Sequence, residues 1–214
     1  MRIMPNWCSN RLAVTGPQAE VERFVAAAVG PEYVRWVAEL GEPEVIPTSH
    51  LSLPTLIPPP AELLTTVVYD GASEKPVVDV ILAILGTGRP FDGHTWQLQN
   101  WGTKWGPPVD SPAMGLLDDQ GILEAVYEFS TAWSPISAAV ATMAGQYPLL
   151  TFKHEYIKEG NCFWGKDVWT GGQQTGHAVG DAGLEHVMDY YRMTLAEARE
   201  YMGLDDPITD KDAG

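Results

Sequence analysis

Apolar and polar positions alternate along some stretches of the chain and recur at helical spacing along others, and their order predicts most of a domain. Asn10 to Gly16 reads as a strand closing at a glycine, with Leu12 and Val14 on one face and Arg11 and Thr15 on the other. Pro17 opens a helix, because a proline in the first turn gives up no hydrogen bond. Val21, Phe24, Val25 and Ala28 then lie at i, i+3, i+4 and i+7, an apolar stripe suited to a sheet. Gly30-Pro31 ends it. His94 to Gln99 alternates as a second strand through Trp96 and Leu98, and Ile122 to Ser130 as a third that pairs with it antiparallel. Ser134-Pro135 predicts a capped helix start, followed by the stripe Ile136, Val140, Met143 and Tyr147. Leu149 to Tyr156 is the fourth strand, with Leu150, Phe152 and His154 on one face, and Asn161 to Trp169 its hairpin partner.

The remaining segments decorate this frame. Residues 31–92 read as an insertion with helical spacing at Tyr33 to Leu40 and Val77 to Leu85 and a short helix starting at Pro60. Prolines at 47, 54, 58, 59 and 60 break its middle. Gly171 to Gly176 reads as a glycine-rich loop. A helix from Asp181 carries Leu184, Val187, Met188 and Tyr191, and Thr194 to Glu197 forms a capping box for a last helix ending at Gly203. The order predicts an α+β fold of the ferredoxin-like, split βαβ type: a four-stranded antiparallel sheet with helices 17–29 and 135–147 on one face. Residues 1–180 form this single domain, and 181–214 a C-terminal helical extension with a frayed acidic tail. Strands one and three read as parallel neighbours, which places Trp7 and Trp133 at opposite strand ends.

Composition narrows the chemistry. The formal net charge is −15 and the balance is positive only over residues 1–30, so phosphate-backbone binding is disfavoured; the charge reads first as a device for solubility, and the sharper reading is an acidic surface that meets a basic partner. Cys8 and Cys162 are too few for a disulfide scaffold or an iron–sulfur cluster and read as free, structural thiols of a cytosolic protein. The N-terminus has no apolar signal core, and the longest apolar run, around Val80 to Leu85, is far short of a membrane span. The five histidines show no ligand spacing and Gly171 to Gly176 lacks the lysine of a phosphate loop, so no metal and no cofactor is expected.

Three of the eight tryptophans fall in Thr95 to Trp105, where Gly102 breaks the strand pattern and turns the chain. Asn100, Trp101, Lys104 and Trp105, together with Trp133, form the candidate binding surface: aromatic faces around a lysine suit stacking or cation–π contacts. The competing reading is a clasp in which Trp101 and Trp105 plug the core and Lys104 stays exposed; Asn100 is structural in both. Cys8 as a thiol nucleophile with His154 as its base is the one covalent-catalysis candidate.

Five segments in register resemble a phage- and plasmid-borne family of unknown function with ferredoxin-like domains. They are Pro5-Asn6-Trp7-Cys8-Ser9-Asn10 with Gly16, Leu56 to Leu63, Asn100-Trp101-Gly102-Thr103-Lys104-Trp105, Thr131-Ala132-Trp133-Ser134-Pro135, and Glu159-Gly160 followed by Phe163 and Gly165. The chain departs from that pattern at Gly106, where the family tends to be acidic, and in its acidic C-terminal helices. The resemblance implies a fold and an origin on mobile elements, and no reaction. Two functional classes follow. The first is a non-enzymatic accessory protein of a phage or mobile element in the host cytosol, binding a host or phage protein but no nucleic acid and no membrane; an acidic inhibitor of a nucleic-acid enzyme or defence system is one form of it. The second is a small-molecule or nucleotide enzyme built on the aromatic loop, Lys104 and Cys8.

Overall fold

The computed structural model describes residues 7–33, 46–60, 93–119, 121–158 and 163–204. The expected insertion helices lie outside these, save for Tyr33 and Pro60, as do Cys162 and the acidic tail. Strand β1 (Trp7–Pro17) runs into helix α1 (Gln18–Ala27), and β2 (Gly30–Pro31) bridges to β3 (Thr48–Ser49). A short helix α2 (Leu53–Leu56) precedes α3 (Gly93–Asn100). Then come β4 (Ala113–Leu116), β5 (Ile122–Ala132), α4 (Ser137–Gln146) and β6 (Thr151–Lys158). The hairpin β7 (Phe163–Thr170) and β8 (Gln173–Asp181) and the helices α5 (Leu184–Tyr191) and α6 (Leu195–Tyr201) follow.

The main sheet has the order β4-β5-β1-β6-β7-β8, antiparallel throughout. Its β4-β5-β1-β6 portion, with α1 after β1 and α4 between β5 and β6, is the ferredoxin-like arrangement. The alternation read from sequence sets its faces. Leu12, Val14, Tyr127 and Phe152 are buried beneath Val21 and Phe24 of α1 and Val140 and Met143 of α4, so both helices cover one face. Phe24 centres this core, its ring edge-on to Tyr127, Tyr147 and Phe152 at 6.3, 5.1 and 5.4 Å. Offset edge contacts of this kind add to plain area burial. On the other face α5 and α6 close a smaller cluster of Ile157, Val187 and Ala198 over Trp164. No helix among the described residues is long and apolar enough to cross a membrane.

Four expectations are corrected. Residues 94–100 are helix, not strand: Trp96, Gln97 and Trp101 are buried together while Leu98 faces out, the i, i+1, i+5 grouping of one helical face. The strand that pairs with β5 in its place is Ala113–Leu116, four exposed residues with no pattern to read. Gly171-Gly172 is a tight turn with positive φ at both residues, and the rest of the expected loop is strand β8. Helix α4 begins at Ser137 with no side-chain cap, Ser134 being used elsewhere. The fourth correction shapes the site: β1 and β5 are antiparallel, with Trp7 opposite Ala132, so Trp7 and Trp133 lie at the same end of the sheet.

Candidate functional site

The site is built where the chain leaves α3. Trp101 ends that helix fully buried, its ring edge-on to Trp96 at 5.5 Å and its indole N–H donating to the Ile57 carbonyl at 3.0 Å. A large apolar ring with one polar tip is thereby satisfied on both counts. The Asn100 side-chain amide donates to the Trp96 carbonyl at 2.9 Å, within the helix and not to the loop. Gly102 follows at φ +83°, a conformation that disfavours side chains, and a Cβ there would meet the Pro135 carbonyl oxygen at 2.6 Å. The loop is then clasped to the β5–α4 connection: Thr103 Oγ1 donates to the Ala132 carbonyl at 3.2 Å, and Ser134 Oγ to the Gly102 carbonyl at 2.5 Å. From the other side Ser49 Oγ donates to the Pro107 carbonyl at 2.9 Å, and the His50 N–H to that of Val109 at 2.8 Å.

Held in this way, the loop divides its tryptophans. Trp101 is wholly inside and contributes no surface. Trp105 is 42% exposed, with Lys104 Nζ 5.2 Å from its ring centre. Together with Trp7, 48% exposed at the start of β1, it walls a recess of about 220 Å³ that Tyr33, Pro108 and Ala132 help to line. Trp133 comes next in the chain, 45% exposed, at φ 72°. The Ser134 N–H donates across it to the Ala132 carbonyl at 3.0 Å, the three-residue turn with positive central φ that bulky residues rarely adopt. The nearly buried Lys158 ammonium lies 5.7 Å from the Trp133 ring centre and 5.6 Å from that of Phe163. Of the five residues singled out in the sequence, the structure brings Lys104, Trp105 and Trp133 to one edge with Trp7. It places Asn100 and Trp101 behind them as support. Lys158 and Phe163 were missed; only the antiparallel register of β6 and β7, which sets them opposite each other, reveals them.

The covalent-catalysis candidate comes apart. Cys8 is buried, and desolvation pushes its thiol up to about 12 although Lys158 and Thr131 pull the other way. Such a group is a thiol at neutral pH, not a thiolate nucleophile. His154 does not reach it. Asn10 stands between, its amide donating to the Cys8 carbonyl at 2.8 Å and to Thr131 Oγ1 at 2.9 Å, so its carbonyl oxygen must accept from His154 Nε2 at 3.0 Å. His154 is therefore the Nε2–H tautomer, and its buried Nδ1 has no partner. Burial lowers the imidazole to about 4, against smaller upward pulls from Asp167 and Glu155. Among the described residues no group of histidine, cysteine and carboxylate side chains is placed to hold a metal ion.

One solved structure and one family model are similar to parts of this chain. The crystal structure of protein api92 from Yersinia pseudotuberculosis is similar at a TM-score of 0.45 and 11% identity, over 84% of this chain and 99% of that one. No curated protein matches. Residues 116–203, from the end of β4 through α6, match the family model described as the ferredoxin-like domain in Api92-like protein.

Proposed function

We propose that this chain is a non-enzymatic accessory protein that acts by binding another protein, with Trp7, Trp105 and Trp133 as its anchor surface. The observation that carries the reading is Trp133: a bulky residue held at positive φ with its ring nearly half exposed, beside two more half-exposed indoles. The hydrogen bonds of Ser134 hold a bulky residue in a conformation it rarely adopts, and strain of this sort collects where a side chain must be presented. Large rigid aromatics are also the residues that dominate protein interfaces. The partner we infer is a basic protein, since a −15 surface steers opposite charge, inserting an apolar segment between Trp7 and Trp105. Inhibition of a nucleic-acid enzyme or defence system in the host cytosol fits those properties, and the resemblance of the sequence to mobile-element proteins supports it. The enzyme reading is weakened by Cys8, whose thiol is raised and walled off from His154.

The test uses Trp133→Gly, which removes the ring and relieves the backbone, with Trp105→Ala beside it. Trp133→Gly should keep or raise the melting temperature and Trp105→Ala should lower it by no more than about 4 °C, while a partner captured by the wild type from host lysate and identified by mass spectrometry is lost. Retention of that partner by the double variant would overturn the proposal.

A further inference from the structure

A second site lies on the opposite face of the sheet, away from the tryptophan edge. Register builds it. Arg11 of β1, Glu155 of β6 and Lys166 of β7 stand opposite one another across three strands, on the face that α1 and α4 do not cover. Lys153, two residues before Glu155, joins the row, so Glu155 receives both lysine ammoniums, at 3.1 and 3.0 Å. Burial pushes that carboxyl up, and the hydrogen bonds from Lys166 and Lys153 more than reverse it, so it stays ionised between them. Helix α5 forms the other wall. It ends at Arg192, whose φ of 54° is that of a helix terminus turned back on itself, and Arg192 makes no ion pair among the described residues. The groove between wall and floor encloses about 550 Å³, within the range of small-molecule sites.

Its charge runs against that of the molecule. Arg11, Lys153, Lys166 and Arg192 face Glu155 and Asp189, a net positive lining in a chain of formal charge −15. Its wall is aromatic: the indole of Trp164 stacks on the His186 imidazole at 4.4 Å and 24°, and Tyr190 lies beside them. His186 Nδ1 accepts the Gly183 N–H at 3.1 Å, which leaves Nε2 as the protonated donor when the ring is neutral. Cationic donors on the floor and flat rings on the wall suit one molecule that carries an anion and a planar ring together. We propose that this groove binds a phosphorylated small molecule with a planar ring, of the nucleoside monophosphate class. The phosphate meets Arg192 and Arg11, the latter paired at long range with the exposed Glu128 carboxylate, Nε to Oε1 3.7 Å, while Glu155 holds both lysines; the ring lies along Trp164 and Tyr190.

Isothermal titration calorimetry of the full chain with adenosine monophosphate, at roughly 150 mM salt so that diffuse attraction is screened, tests this. One-site saturation in the micromolar to low millimolar range is expected, with ribose 5-phosphate and adenosine each weaker by roughly tenfold or more. Arg192→Asn keeps a residue that tolerates the left-handed turn, and Arg11→Gln keeps a donor toward Glu128. Both should weaken binding by a similar factor without lowering the melting temperature. Trp105→Ala, at the other site, should bind as the wild type does. Absence of saturation, or unchanged affinity in both groove variants, would overturn the proposal. So would a single-stranded oligonucleotide that binds where the mononucleotide does not, since that marks a nucleic-acid surface.

Discussion

His154 shows how one buried residue ties stability to pH. Its ring nitrogen Nε2 is held by Asn10 and its Nδ1 faces no acceptor, so the native site refuses a second proton until pH falls to about 4. The unfolded chain takes that proton near pH 6.5. A lowered histidine pKa therefore leaves stability intact above pH 6.5 and removes it progressively between 6.5 and 4, by about 2 kcal/mol at pH 5. Urea unfolding of the wild type and of His154→Gln at pH 7 and pH 5 should show this as a difference in pH sensitivity: the variant, which keeps a donor toward Asn10, should lose about 2 kcal/mol less on acidification. Equal losses would place the acid sensitivity elsewhere. The two tryptophans of the loop separate just as clearly. Trp101→Ala empties a filled site and frees the Ile57 carbonyl, at a cost of about 3–5 kcal/mol. Trp105→Ala trims a half-exposed ring and should cost under about 1 kcal/mol. Denaturant midpoints of the pair measure the contrast.

At the level of elements, what could be read in advance was what burial had written into a period. Strands β1, β5 and β6 and helices α1 and α4 each present one apolar stripe to one core, and Val21, Phe24, Val140 and Met143 sit where helical spacing puts them. The capping pair Thr194 and Glu197 was legible for a different reason: both halves of a capping box are side chains, and each makes its bond, at 3.4 and 2.7 Å. Edge strands carry no such signal. Ala113–Leu116 is exposed at all four positions although it carries no polar side chain, and Gln173–Asp181 at most of its own, so neither edge strand buries one face and neither shows a period of two. The misreading of 94–100 came from Leu98, an exposed leucine two residues from a buried tryptophan, which imitates alternation. Of the site, the tryptophan loop was visible as composition, but its division into one buried and one displayed ring depends on Gly102 and on hydrogen bonds to Ala132 and from Ser134, partners about thirty residues away in sequence. The same dependence gives a test. Gly102→Ala would place a methyl against the Pro135 carbonyl and force a positive φ, so it should cost about 2 kcal/mol or more. It should also loosen Trp105. Thermal unfolding and the accessibility of Trp105 to acrylamide quenching report the two effects, and a variant unchanged in both would mean that the clasp is not what sets the loop.

For the whole molecule the question is how a chain of net charge −15 can use an apolar edge. Long-range charge and short-range packing act on different rate constants. A field spread over the surface accelerates encounter with a basic partner and is screened within about 8 Å at physiological ionic strength. Rings that fill a pocket in the partner hold the complex once formed and act on dissociation. The proposed mode of binding therefore makes a split prediction. Between about 20 mM and about 150 mM salt the association rate should fall severalfold or more, while the dissociation rate changes little. Trp105→Ala should do the reverse: dissociation should quicken by roughly tenfold or more, with the salt dependence of association kept. Surface plasmon resonance of wild type and variant against the captured partner, at several salt concentrations, reads both constants separately. A dissociation rate that rises steeply with salt while remaining indifferent to Trp105 would mean that the complex is held by charge, and the tryptophan edge would then need another explanation for its strained, outward-facing Trp133.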